Sequence, residues 1–493
     1  MISLRKIKVN YLYAPLLVLG VYLLYRFIDQ SKIVKIFPLD YNNDISSYLA
    51  QLFFLKVCGF LKLCPYWYNG IITFESYSPG WYFFSFPLYL ITNDVLMTAF
   101  ISLVLMYVLG FFLIYVLGKH LGLTRLQRVA FFVFFFGNAI AIGNFIRLGR
   151  LTSLYGWISF LAVAVLVYWY KDKALNKYFL LFYIPAYTNL ILSHPQELIL
   201  AHFLILGFFI IKNNKEKIII VSSSLAGIFL SSFWLFPFIT TALRNTIEAG
   251  IWREIYKQPF NVVVSFILPL LLLGLFYFYI KIMRSKRELF FYLPVLILDF
   301  LFLMRLIPLT IILRDITLDH YLLFFLFFSL ILFFKIDWDK YTLLKKIIPI
   351  SLIMISLASV GFNFYLTPKF SDHGPLEKEL ISLSESIEGK VLIFGALPTS
   401  YPLAHYSYLA IYHNVSTASG WAETYASPDY IKQLLLVYRS FERENNCKEF
   451  LQMLKKVNVQ SAIAFYSDCE KLMGCNLKLL KETDHTCLYK DET

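Results

Sequence analysis

Charge is scarce in this chain: 16% of its 493 residues are Asp, Glu, Lys or Arg, against 59% hydrophobic ones. That shortage excludes an ordinary soluble globular protein, whose charged share is about 25%. The sequence also lacks a Walker phosphate loop and a dinucleotide-binding glycine pattern behind a strand, and so lacks the usual marks of nucleotide chemistry. No His-Glu-x-x-His motif and no closely spaced cysteine pair occurs, which removes the familiar zinc signatures. Asp337-Trp338-Asp339 has the carboxylate spacing of nucleotide-sugar enzymes, but it occupies a short loop with no soluble domain around it and reads as a solvated turn. Internal repeats, expected of an inverted-repeat transporter, are not evident. Although the net charge is +13, its basic residues are spread over short loops, without the clustered face that would mark a nucleic-acid partner.

Long apolar runs fill the remainder, and the mean hydropathy is +0.64. Crossing a bilayer takes about 20 apolar residues. Runs near that length occur at Tyr11 to Ile28, Asp94 to Leu117, Gln127 to Asn144, Leu151 to Tyr170, Tyr178 to Ser193, Glu197 to Ile211, Ile218 to Thr240, Phe260 to Ile280, Leu289 to Leu306, Tyr321 to Phe334 and Ile347 to Leu366. The expectation is a polytopic α-helical membrane protein of about eleven spans, with Trp81 to Ile91 as a twelfth or an interfacial helix. No small-residue cleavage site follows the first run, which therefore reads as a retained helix and not a signal peptide.

Lys and Arg in short loops mark the cytoplasmic side. With Arg5, Lys6 and Lys8 inside, alternation puts inside the loops bearing Lys119, Arg125 and Arg128; Lys171, Lys173 and Lys177; Lys212, Lys215 and Lys217; Lys281, Arg284, Lys286 and Arg287; and Lys335, Lys340, Lys345 and Lys346. Every inner loop is then basic. The cell membrane is the expected location, the N-terminus cytoplasmic. Residues 1–366 form the membrane domain, with 29–93 as its first outer loop, and 367–493 form an extracytoplasmic domain.

That tail reads as a small α/β domain. Val391 to Leu397, Ser461 to Tyr466 and Leu477 to Tyr489 are strand-like, and Asp429 to Lys456 is one or two helices. Cys447, Cys469, Cys475 and Cys487 lie here, where an oxidising compartment permits one or two disulfides of open pairing. Asn414-Val415-Ser416 is a glycosylation sequon on the appropriate side.

Asp44 follows the first span in Pro38-Leu39-Asp40-Tyr41-Asn42-Asn43-Asp44, immediately before Ile45-Ser46-Ser47-Tyr48. Asp at that position suits a helix N-cap; equally, a carboxylate at the bilayer mouth suits a general base. Ile45 to Leu63 carries apolar residues at helical spacing and is expected to lie as an interfacial helix. Cys64-Pro65-Tyr66-Trp67-Tyr68-Asn69-Gly70 and Ser76-Tyr77-Ser78-Pro79-Gly80-Trp81-Tyr82, flanking Glu75, combine turn formers with aromatic rings. These rings suit either interface anchoring or stacking on sugars.

Asp44, the juxtamembrane helix, the Leu63 to Gly70 turn, Tyr77-Ser78-Pro79 and the later Ser193-His194-Pro195 resemble the 6-pyruvoyl-tetrahydropterin synthase-related prokaryotic membrane proteins, themselves similar to GT-C glycosyltransferases. The resemblance covers the layout of nearly the whole chain through short, degenerate motifs. It implies a membrane glycosyltransferase that takes sugar from a polyprenyl-phosphate donor to a glycan, lipid or protein acceptor, with inversion. It assigns Asp44 as catalytic base or metal contact, for magnesium or manganese. Members often carry His four residues after the acid; Tyr48 stands there, which weakens the expectation of a metal. A lipid-linked glycan transporter and an inactive subunit of a surface-glycan assembly complex are the competing readings.

A departing lipid phosphate calls for cations. Arg147 and Arg150 could form a phosphate fork, or snorkel to headgroups. Arg244, Arg253 and Arg314 are further candidates, as are His194 and Glu197 beside the helix-breaking Pro195. Tyr48, Trp67, Glu75, Tyr77 and Trp81 are candidate substrate contacts. Asp315 and Asp319, four apart and read as one helix face next to His320, form a secondary acidic pair.

Overall fold

The computed structural model describes residues 11–39, 43–244, 255, 259–310, 312–395, 402–421 and 425–491. Two compact units emerge: Met1–Gln30 with Leu103–Leu235 and Thr246–Pro368, and Ser31–Ser102 with Phe236–Asn245 and Lys369–Thr493. The segment between the first two apolar runs thus groups with the tail.

Each expected apolar run lies on a helix. These are α1 (Tyr13–Gln30), α4 (Val95–His120), α5 (Arg125–Phe136) with α6 (Ala139–Arg147), α7 (Leu151–Tyr170), α8 (Lys177–Ser193), α9 (Pro195–Ile210), α10 (Asn214–Arg244), α11 (Pro259–Met283), α12 (Lys286–Leu303), α13 (Leu318–Lys335) and α14 (Thr342–Leu366). Preceding α4 are α2 (Ile45–Val57) and α3 (Gly80–Thr92). Among the described residues six helices are long and apolar enough to cross a membrane, or seven if the bent pair α5 and α6 is one span. Pieces of 16 to 18 residues make up the others, α1, α8, α9 and α12. At 13 residues, α3 rises only about 20 Å and falls short of the roughly 30 Å hydrocarbon layer, so it is not a twelfth span.

Local chemistry sets the helix ends. Thr124 and Gln127 form a reciprocal capping box at α5. Gly137 closes α5, and Asn138 accepts from the Ile140 and Ala141 amides to open α6 at a 49° bend. The first unit is most enclosed around α7 and α13. At one end, Lys171 Nζ lies 2.6 Å from Glu288 Oε1 and the Tyr279 hydroxyl donates to Glu288 Oε2 at 2.8 Å, joining the end of α7 to α11 and α12. Helices α9 and α12 pack so closely that a Cβ on Gly207 would sit 2.0 Å from the Phe291 carbonyl oxygen. Near the C-terminus of α14, Tyr22 donates to Asn363 Oδ1 at 2.6 Å, while buried Arg26 donates to the Thr367 and Pro368 carbonyls. Cations at the carbonyl end of a helix complement its dipole.

In the second unit, β1 (Leu63–Cys64) and β2 (Ile71–Ile72) form an antiparallel hairpin. A four-stranded sheet orders β3 (Val391–Ile393), β4 (Ser461–Phe465), β6 (Thr486–Lys490) and β5 (Lys478–Glu482), with β3 parallel to β4 and the other pairs antiparallel. Around it stand α15 (Pro375–Ser384), α16 (Pro402–His413), α17 (Pro428–Tyr438), α18 (Cys447–Lys456) and α19 (Ser467–Gly474). The expected strand from 391 stops at Ile393, its Ala396 and Leu397 lying outside the described residues, and the stretch from 477 is a hairpin of two strands. Loop and tail share one core: Trp67 bridges to Thr417, Lys390 Nζ donates to the Tyr68 carbonyl at 2.7 Å, and Tyr425 donates to Gln51 at 3.0 Å.

All six cysteines pair, as Cys58–Cys64, Cys447–Cys475 and Cys469–Cys487. The tail pairings resolve what spacing left open. The first bridge was not expected, and it closes the turn where α2 ends at Val57, short of Leu63; Gly59, at φ +94°, breaks the helix there. Nearly all of α2 is buried, Gln51 and Ser46 included, so it is a core helix and not an amphipathic one lying in headgroups.

Candidate functional site

Two places collect the expected residues, one in each unit. In the helical unit, Pro195 starts α9 at its first turn, where a missing amide costs nothing. His194, the preceding residue, makes no capping bond; its Nδ1 meets Glu197 Oε2 at 2.5 Å. Glu197 is completely buried, and its other oxygen accepts from Ser153 Oγ at 2.8 Å and lies 3.1 Å from His320 Nε2. On its far side the His320 ring meets Thr317 Oγ1 at 2.8 Å and Asp319 Oδ2 at 3.3 Å. Arg150 then reaches Asp319 at 3.3 Å. Five side chains, Arg150 and His194 from the positions preceding α7 and α9 and Glu197, Asp319 and His320 from α9 and α13, form one continuous ionisable chain. The imidazoles of His194 and His320 stack, 5.4 Å apart and 8° from parallel.

Two expectations change here. Asp315 and Asp319 do not share a helix face, because α13 begins only at Leu318 and Asp315 ends a separate short turn. Asp315 is exposed beside Arg314 at 3.7 Å, and desolvation raises its pKa against that guanidinium, whereas Asp319 is drawn into the His320 chain. Nor do Arg147 and Arg150 form a fork. Buried Arg147 donates to the Pro368 carbonyl at 2.8 Å, while Arg150 bonds Asn144 and Asp319. The Arg244 side chain and Arg253 lie outside the described residues.

In the other unit, Asp44 precedes α2 in a helical conformation (φ −94°, ψ −18°) and its side chain does not cap the helix. Asn43 does so instead, its Oδ1 accepting from the Ser46 amide at 3.0 Å. Tyr48, one turn on, is buried with its hydroxyl 3.1 Å from that of Tyr77. Trp67 and Trp81 are fully enclosed, which corrects their reading as rings open to a sugar: they are core residues. Trp421, half-buried, packs edge-on against Tyr48 at 5.2 Å and Tyr77 at 4.9 Å, and sequence reading passed it over. Its one local signal is the preceding Gly420, where a Cβ would press on the Trp67 and Tyr68 rings at 2.8–2.9 Å. Glu75 is half-buried. Within the sequon, Asn414 Oδ1 accepts from the Tyr66 hydroxyl.

No protein-family model matches the chain, and no curated protein matches it in sequence. Solved structures do. The arabinofuranosyltransferase AftD from Mycobacteria superposes over 96% of this chain and 39% of its own length, with a TM-score of 0.61 and 11% identity. Its fold is GT-C-like. The oligosaccharyltransferase AglB from Archaeoglobus fulgidus, in complex with an inhibitory peptide and a dolichol-phosphate, covers 92% of this chain and 69% of its own length (TM-score 0.56, 11% identity). The complex of the A. fulgidus oligosaccharyltransferase with Zn and sulfate gives a TM-score of 0.51 at 11% identity over 90% of this chain and 68% of that one. At such identities the likeness is one of fold. The GT-C-like architecture is shown, and the narrower pterin synthase-related grouping finds no matching family model. This chain spans about two fifths of the arabinofuranosyltransferase.

Proposed function

We propose that this protein is a membrane glycosyltransferase of GT-C type, which moves a sugar from a polyprenyl-phosphate donor to an acceptor on the extracytoplasmic face with inversion. One observation carries the reading: Asp44 stands in the turn that opens α2, in a chain whose fold matches arabinofuranosyl- and oligosaccharyltransferases over at least nine tenths of its length. In the proposed step Asp44 takes the proton of the acceptor hydroxyl, the acceptor oxygen bonds to the anomeric carbon, and the bond from that carbon to the phosphate oxygen breaks. Polyprenyl phosphate departs with the electron pair.

Eleven spans complete this reading, with a cytoplasmic N-terminus and residues 367–493 outside. The basic loops at Lys119 to Arg128, Lys171 to Lys177, Lys212 to Lys217, Lys281 to Arg287 and Lys335 to Lys346 support that alternation. The test compares surface glycans by mass spectrometry in a strain lacking the protein, complemented with wild type or with Asp44→Asn. Normal insertion with loss of the glycan is expected; unchanged glycans from the variant would overturn the assignment of Asp44.

A further inference from the structure

The geometry points to a divalent metal site formed by His194, Glu197 and His320, taking zinc or an ion of similar chemistry. One donor atom from each residue lies within 4.8 Å of the others. The nitrogen-to-oxygen separations are 2.5 Å from His194 Nδ1 to Glu197 Oε2 and 3.1 Å from His320 Nε2 to Glu197 Oε1, so the two imidazoles flank opposite oxygens of one carboxylate. Tetrahedral ligands at about 2.0–2.2 Å from zinc stand roughly 3.3 Å apart. Seating an ion therefore opens the His194 contact by about 0.8 Å and the His320 contact by about 0.2 Å.

The surroundings resemble the support of a metal ligand more than a chance ion pair. His320 presents Nε2 to Glu197 while its Nδ1 is held by Thr317 and Asp319, and Arg150 holds Asp319 in turn. A ligating imidazole is characteristically oriented by a carboxylate on its other nitrogen. Ser153 fixes the Glu197 oxygen that faces His320. Gly156 leaves the space the carboxylate fills, since a Cβ there would lie 2.9 Å from Glu197 Cδ, Glu197 Oε2 and His194 Cβ. Three protein ligands leave a fourth position for water or an anionic oxygen. His194, whose side chain is 12% exposed while that of Glu197 is fully enclosed, gives the side of entry.

Two imidazoles with one carboxylate favour zinc, cobalt, iron or manganese over magnesium and calcium, which prefer all-oxygen shells. Imidazoles ligate a metal in their neutral form, so loading weakens as pH falls. No local motif announces the site, because His320 is supplied by a helix distant in sequence from the other two ligands. It stands independently of the sugar-transfer reading.

The experiment uses full-length protein in detergent, stripped with chelator and titrated with Zn²⁺ or Co²⁺, with bound metal counted by elemental mass spectrometry. One ion per chain is expected, not displaced by millimolar Mg²⁺, with a visible ligand-field spectrum for Co²⁺. His320→Ala and Glu197→Gln lose the ion. Asp319→Asn keeps all three ligands and binds one ion about 10–100-fold more weakly, a shift that a purely structural carboxylate would not produce. Asp44→Asn retains the ion, which separates this result from the failure or success of the transfer reading. Wild-type protein that takes up no stoichiometric Zn²⁺ or Co²⁺, or one that gives up its ion to Mg²⁺, overturns the site whether or not the variants fold.

Discussion

His320 Nε2 lies 3.1 Å from Glu197 Oε1, and this contact joins the first turns of α13 and α9 inside the protein. Both residues are almost wholly enclosed, and each has further polar partners. Such a pair is a poor place to remove one member, because the other is left charged in a medium of low dielectric.

Glu197→Ala is therefore expected to destabilise the helical unit by about 3–5 kcal/mol. Glu197→Gln, which can still accept from Ser153, costs less. Thermal unfolding of the purified protein in detergent distinguishes the two.

Tyr22 and Asn363 form a side-chain hydrogen bond buried between α1 and α14. Tyr22→Phe removes its donor and leaves the Asn363 oxygen without that bond, at a cost of about 1–3 kcal/mol. A lower melting temperature with unchanged membrane insertion is the expected result.

The three disulfides predict a labelling pattern. An alkylating reagent applied to denatured, unreduced protein should modify none of the six cysteines and, after reduction, all of them, as intact mass would show. Replacing Cys447 and Cys475 together by Ser opens a link across 28 residues and is expected to lower stability by about 2–4 kcal/mol.

Buried His405 gives the second unit a pH dependence. Desolvation, with His373 adding to it, pushes its pKa down to about 3 from 6.5. The folded form thus favours the neutral ring, and below pH 6.5 the unfolded chain binds the extra proton. Stability is full above that pH and declines as pH falls, by at most about 1.4 kcal/mol per unit from this group. Burial lowers the pKa of His413 also, adding a smaller slope of the same sign. Glu379, lowered from 4.5 despite desolvation by hydrogen bonds from Thr483 and His485, contributes a loss only at lower pH. Between pH 6.5 and 4.5, His405→Gln should flatten the unfolding profile measured on the full chain.

Every apolar run read from the sequence lies on a helix, because membrane-length hydrophobicity is a local property that distant contacts rarely override. Capping chemistry was less legible. Asp44 looked like a cap, yet Asn43 took that role, since either residue type serves and the exact register decides. Trp67 and Trp81 read as open rings because aromatic loop sequence looks alike whether it meets solvent or a second segment; their burial depends on partners such as Thr417 and Ser102. Similarly, His194 and Glu197 were visible as a pair, but their meeting with His320 depends on the packing of α7, α9 and α13, which periodicity does not encode. Asp319 and His320 read as neighbours in one polar cluster and do meet, whereas the helix face that spacing gave Asp319 and Asp315 is lost because Asp315 ends a separate short turn.

Gly207 lies ten residues along α9 from Glu197, about 15 Å down the same rod. Because the Phe291 carbonyl occupies the place of any side chain at 207, the backbones of α9 and α12 bear directly on each other there. A methyl group would act as a wedge under one end of a stiff lever whose other end carries a buried carboxylate. The alignment of Glu197 with its two histidines is thus set in part by an apolar seam that touches none of them.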